Sequence, residues 1–126
     1  MPTGHSPNPL RGPNPNGEFF AFSFSPNGSS ALSSSTNIGA GFSVVRTSAG
    51  KFTVTVNAVF KGTPVIVPGL QTNAAPTGAA DLRVAGAITM ASGVTTFALE
   101  YRDATVATDL ASSVNTRIHV MLFGAT

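Results

Sequence analysis

Cysteine and tryptophan are both absent from this chain of 126 residues, and tyrosine occurs once. The lack of cysteine excludes disulfides, thiol catalysis and cysteine-ligated metals, and it is compatible with a reducing cytoplasm. Charge is scarce as well: Asp, Glu, Lys and Arg make up 10% of the residues, against about 25% in ordinary soluble domains. Hydrophobic residues reach 42%, so little charge is left to build a solvated surface. Two readings follow. Either the exterior is polar through Ser, Thr and Asn, or part of it is buried against other chains, because uncovered apolar surface associates. The second reading makes an oligomer or an assembly component.

Long apolar runs are also missing. None approaches the ~20 residues a membrane helix needs, and the first residues, MPTGHSPNPLRGPNPNG, hold no apolar segment of the signal-peptide kind. The expectation is a soluble protein made in a cytoplasm, with no membrane partner. Nor is there a basic cluster. Arg11, Arg46, Lys51, Lys61, Arg83, Arg102 and Arg117 are spread along the chain, and the formal charge is only +2. The pI near 9.7 therefore reflects a small excess rather than a patch, and no nucleic-acid partner is expected.

Catalytic groups are few. His5 lies in a Pro-rich segment without rigid support, and His119 sits in the last apolar run, from which it could meet Asp103 or Asp109. A triad demands several convergent groups, so His119 is read as a packed or interface residue. Of the carboxylates, only Glu100 and Asp103 are close in sequence. They alternate with Arg102 where a strand runs into a turn, which suits surface ion pairing better than a glycosidase pair. Two distant histidines without cysteine cannot build a usual zinc site. Gly39-Ala40-Gly41 lacks the third glycine and the following helix of a dinucleotide fingerprint, and Gly50-Lys51-Phe52-Thr53 misses the phosphate-loop pattern. Both read as turn or bulge glycines, and Asn27-Gly28-Ser29 as a turn. The chain is expected to be no enzyme and to hold no cofactor or metal.

What the sequence does contain is alternation. Residues 1–17 carry five of the nine prolines among Asn and Gly, which disfavours helix and sheet alike and predicts an extended N-terminal arm. Such an arm can be a free tail or can order on a partner. From Glu18 the texture changes. EFFAFSFS puts Phe20, Phe22 and Phe24 on one face. GAGFSVVRT and GKFTVTVNAVF alternate on either side of Ser48-Ala49-Gly50, a hairpin signal. In the second run Phe52, Val54, Val56 and Phe60 form the expected core face, opposite Thr and Asn.

PVIVP, bracketed by Pro64 and Pro68, reads as an edge strand. LRVAGAITM and GVTTFALEYR flank a second hairpin turn at Ala91-Ser92-Gly93. DATVATDLASSVN is a longer connection with one helical turn near Asp109-Leu110. RIHVMLFG is apolar on both faces, with Ile118, Val120 and Leu122 opposite His119, Met121 and Phe123, and so reads as buried on both sides. The count is seven strands, or eight with the small-residue run SSALSSST. The predicted fold is all-β: a single antiparallel β-sandwich of jelly-roll type over residues 18–126, preceded by the arm at 1–17.

The block GAGFSVVRTSAGKFTVTVNAVFKG, with PVIVPGLQ, LRVAGAIT and the closing NTRIHVMLFG, resembles small virion proteins of tailed bacteriophages. The resemblance covers roughly residues 39–124. It implies a capsid decoration, or cement, protein: a non-enzymatic β-sandwich, dimeric or trimeric, that sits on the outer capsid surface and binds the major capsid protein across capsomer junctions. It also implies a gripping arm, for which Leu10, Arg11, Pro13 and Pro15 are the candidate contacts. The alternative is a tail-fibre or spike head that binds a host-surface carbohydrate, for which a chain with one tyrosine and no tryptophan is poorly equipped.

Overall fold

The computed structural model describes residues 17–73 and 80–125. Eight strands run in the order β1 (Gly17–Phe24), β2 (Phe42–Ser48), β3 (Lys51–Val56), β4 (Val65–Gln71), β5 (Ala80–Ala91), β6 (Val94–Asp103), β7 (Val106–Ala107) and β8 (Arg117–Ala125). They form two antiparallel sheets. One has three strands in the order β1-β8-β4; the other has the order β2-β3-β6-β5, with the short β7 paired to β6. The β-sandwich is thus as expected. Its larger sheet contains two sequence-adjacent hairpins, β2-β3 and β5-β6, and we describe it by that order rather than as a jelly roll.

Alternation decides which side chains meet between the sheets. Phe22, Phe24, Ile118, Val120 and Leu122 point inward from the three-stranded sheet, and Phe52, Val54, Val56, Phe97 and Leu99 from the larger one. Phe60 joins them from the segment after β3. Two aromatic contacts tie the layers: Phe24 meets Phe52 edge-on at 5.3 Å between ring centroids, and Phe22 stacks on Phe42 at 4.1 Å. Full burial of each such side chain contributes about 1.5–3 kcal/mol. Thr95 is the polar exception on the inward face of β6, and its Oγ1 donates to the Ala58 carbonyl at 2.6 Å, so the buried hydroxyl is satisfied.

Both expected hairpins are present. Ser92 and Gly93 join β5 to β6 with φ of 56° and 80°, the two left-handed residues of a tight hairpin turn. Gly50 closes the β2-β3 turn at φ 68°. Its position leaves no alternative, because a Cβ there would lie 2.6 Å from the Tyr101 carbonyl oxygen and 2.7 Å from the backbone of Thr108. In β5 the register slips between Ala85 and Thr89, where β5 advances four residues while β6 advances two. The slip is even, so the alternation keeps its phase, and Leu82, Val84, Ile88 and Met90 all pack on the core.

Four expectations are corrected. SSALSSST is no strand: Ser34–Thr36 form a 3₁₀ turn, because the hydroxyls bond locally, Thr36 Oγ1 donating to the Ser33 carbonyl at 2.8 Å. The eighth strand is β7 instead. No helical turn forms at Asp109-Leu110, since the Leu110 carbonyl accepts from the Gly28 amide and the Asp109 carboxylate from the Gly50 amide. PVIVP does lie at a sheet edge, but β4 runs through Pro68 to Gln71. Finally, β8 is buried on one side only, with Met121 and Phe123 left 44% and 42% exposed.

Candidate functional site

The expected arm contacts, Leu10, Arg11, Pro13 and Pro15, lie outside the described residues. The remaining candidates can be placed. His119 stands on the outer face of the three-stranded sheet, where its Nε2 lies 2.9 Å from Gln71 Oε1. Asp109 is already engaged by Arg46 and the Gly50 amide. Gly39 and Gly41 have φ of 109° and 79°, as turn glycines do. Among the described residues no cluster of three His, Asp or Glu could hold a metal, and no helix is long and apolar enough to cross a membrane.

Glu100 and Asp103 do not face a common cleft. Glu100 is on the outer face of β6, only 7% exposed, because cations cover it: Arg83 at 3.2 Å, Arg102 at 3.3 Å and Lys51 at 3.7 Å. Burial works to raise this carboxyl, and the hydrogen bond from Arg83, with the charges of Arg102, Lys51 and Arg83, outweighs it and leaves the group below its ordinary range. The expected ion pairing is therefore present, as a cluster of one carboxylate beneath three cations. Around it the face is polar, with Thr53, Thr55 and Thr96 in adjacent strands.

The opposite outer face differs. Cross-strand partners in the three-stranded sheet share a side, and the outward rows read Phe19, Phe123, Val65, then Ala21, Met121, Val67, then Ser23, His119, Gly69. The first two rows are entirely apolar. Val65 and Val67 are 50% and 42% exposed, matching Met121 and Phe123. Phe19 stacks on Phe123 with ring centroids 6.3 Å apart, so the row is ordered by its own contacts. An open hollow of about 430 Å³ runs beside Met121 and His119 to Ile38, which is itself 61% exposed.

The polar end of the face is held by Arg117, which lies on the same outward side as His119 and Met121. Arg117 donates to the Ser23 hydroxyl at 3.0 Å, the Ser25 hydroxyl at 2.9 Å and the Thr36 carbonyl at 2.7 Å. These bonds hold the loop carrying Ile38 against the sheet edge, reinforced by the backbone pair Ser23–Ile38. What this arrangement offers chemically is adhesion: two ordered apolar rows, bounded on the same face by His119 and then by Arg117. Sequence reasoning had assigned the strands but not the exposure of Val65, Val67, Met121 and Phe123. The available signal was a last strand apolar on both faces.

No family model, characterised protein or solved structure matches this chain.

Proposed function

We propose that this protein is a non-enzymatic structural component that works by association, and that it decorates a phage capsid from its outer surface. The observation that carries the association is on the outer face of β1, β8 and β4, where Phe19, Met121, Phe123, Val65 and Val67 are gathered in two rows without charge. The largest apolar patch on a soluble protein is often where it binds. The resemblance of the segment 39–124 to small virion proteins supplies the capsid as the setting.

In this reading the sandwich is a rigid block whose fold is spent on presenting faces. Packaged DNA pushes capsomers apart, and a subunit bound across a junction adds buried area that must be lost before the shell opens. Interfaces of this kind cover about 1,200–2,000 Å² each, and many simultaneous weak contacts give avidity. The carbohydrate-binding alternative finds less support, because Tyr101 is 5% exposed and turned into the fold.

The test is co-sedimentation of purified protein with undecorated phage heads, comparing the native chain with Leu10→Ser/Arg11→Ser. Saturable binding that the double substitution weakens supports decoration and assigns the grip to the arm. Absence of saturable binding by the native chain rejects the capsid setting.

A further inference from the structure

Association through the outer face of β1, β8 and β4 leaves the ends of the sandwich without a role. At one end, where β4 and β6 finish, a pocket of about 310 Å³ opens between Asn73, just past β4, Tyr101 on β6, and Leu110, Ala111, Ser113 and Thr116 of the β7-β8 connection. Pockets for small ligands begin at about 300 Å³. We infer that this pocket binds a neutral N-acyl group, the carbonyl oxygen taken by the Tyr101 and Thr116 hydroxyls and the acyl methyl lying against Leu110 and Ala111. The site shares no residue with the apolar rows and does not depend on the capsid setting.

A hydroxyl without a partner marks the place. Tyr101 is 5% exposed, and its side chain is in no hydrogen bond with the protein; only its backbone is engaged, with Gly50 and Thr108. Among the described residues the one fully enclosed side-chain polar atom without a partner is Arg102 Nε, so the Tyr101 oxygen is not sealed in. It reaches open space, and the open space beside Tyr101 is the pocket. A nearly buried phenol with its bond unmade is destabilising, and a group that fills the pocket with an acceptor removes that cost.

The other polar groups of the pocket ask for the same thing. Thr116 Oγ1 accepts from the Asn73 amide at 3.3 Å, Ser113 Oγ from the Asn115 amide at 3.4 Å, and Asn73 Oδ1 from Asn115 Nδ2 at 3.1 Å. These side chains accept and do not donate, so what is left unmatched at each is an O–H or an N–H. The complementary ligand atom is an acceptor. Charge then selects a neutral one. No Lys, Arg or His is among the described residues lining the pocket, and Asp103 lies two positions beyond Tyr101 on the same side of β6. Burial, and then the charge of Asp103, raises the phenol above its ordinary value, so Tyr101 remains a donor at neutral pH while a carboxylate ligand would meet repulsion. The carbonyl of an amide satisfies both conditions. The alkyl wall beside it is anchored, because the Leu110 carbonyl accepts from the Gly28 amide at 2.8 Å and the adjoining Asp109 pairs with Arg46.

N-acyl groups occur on acetylated sugars and along peptide chains, and NMR titration of the full chain separates the two sources. The probes are N-acetylglucosamine, N-acetylalanine methylamide, glucose and acetate. At least one of the two N-acyl probes should shift the backbone amides of Tyr101, Ser113 and Thr116 saturably in the millimolar range, and glucose and acetate should not. Binding of the sugar alone gives the group to a glycan, and binding of the peptide alone gives it to a polypeptide; both support the inference. Tyr101→Phe keeps the buried ring and removes the hydroxyl, so the affinity for that probe should fall about fivefold to tenfold. The melting temperature of Y101F should not fall, since no bond within the fold is lost. A marked drop would show that the hydroxyl already has a partner in the protein and would overturn the inference. So would the absence of saturable shifts at the pocket with both N-acyl probes, an affinity unchanged in Y101F, or binding of acetate or glucose as tight as that of the amides.

Discussion

Arg46 and Asp109, 63 residues apart, meet in a two-pronged ion pair: Nε donates to Oδ1 at 3.0 Å and Nη2 to Oδ2 at 2.8 Å. The same carboxylate accepts from the Gly50 amide at 3.0 Å, so one side chain fastens the long β7-β8 connection to the β2-β3 hairpin. The Arg46 hydrogen bond, then that of Gly50, holds Asp109 below its ordinary value. A depressed carboxyl contributes stability that is complete above its unfolded-chain value of about 3.9 and is lost as pH falls through the lower folded value. Asp109→Asn should therefore lower the urea midpoint at pH 7, and its gap from the native chain should shrink below about pH 4. A gap independent of pH would show that the carboxylate charge is not what holds the loop.

Gly50 and Gly93 make a matched pair for separating backbone strain from crowding. Both have positive φ, 68° and 80°, but a Cβ at Gly93 meets nothing within 4 Å while one at Gly50 strikes backbone at 2.6 Å. Gly93→Ala should cost about 1–2 kcal/mol, the left-handed penalty alone. Gly50→Ala should cost clearly more, because the β2-β3 turn must move off Tyr101 and Thr108. Equal losses in chemical denaturation would mean that the turn relaxes freely.

Burial predicts a sharp contrast between two phenylalanines. Phe24 is fully buried against Phe52, and Phe24→Ala should cost about 3–5 kcal/mol. Phe123 is 42% exposed on the outer face. At monomer concentrations Phe123→Ala should cost less than about 1.5 kcal/mol, because less than a full side chain's burial is lost. A comparable loss at both positions would place Phe123 in the core rather than on a surface.

The fold was legible where the signal is local. The alternation of Phe52, Val54 and Val56, and that of Phe20, Phe22 and Phe24, named inward faces correctly, and the glycine-ended turns at Gly50 and Gly93 located both hairpins. What could not be read was anything set by distant partners. Serine hydroxyls in SSALSSST compete with sheet pairing through bonds whose balance a pattern does not display. Asp109 looked like part of a helical turn because its partner, Arg46, lies 63 residues away. The face carrying Met121 and Phe123 looked buried because apolar residues on both sides of a strand imply two covering layers, and the described residues supply one. That mismatch is the same feature on which the proposed association rests. The expected arm contacts, Leu10 and Arg11 among them, lie outside the described residues.

If the protein stabilises a shell by bridging its capsomers, the most direct measurement is the temperature at which undecorated phage heads release their DNA, followed with a DNA-binding dye as protein is added. The account predicts a rise in that temperature that saturates at a fixed number of subunits per head, with M121K requiring more protein to reach it. Heads that open at the same temperature at every protein concentration, although the protein itself remains folded, would contradict it.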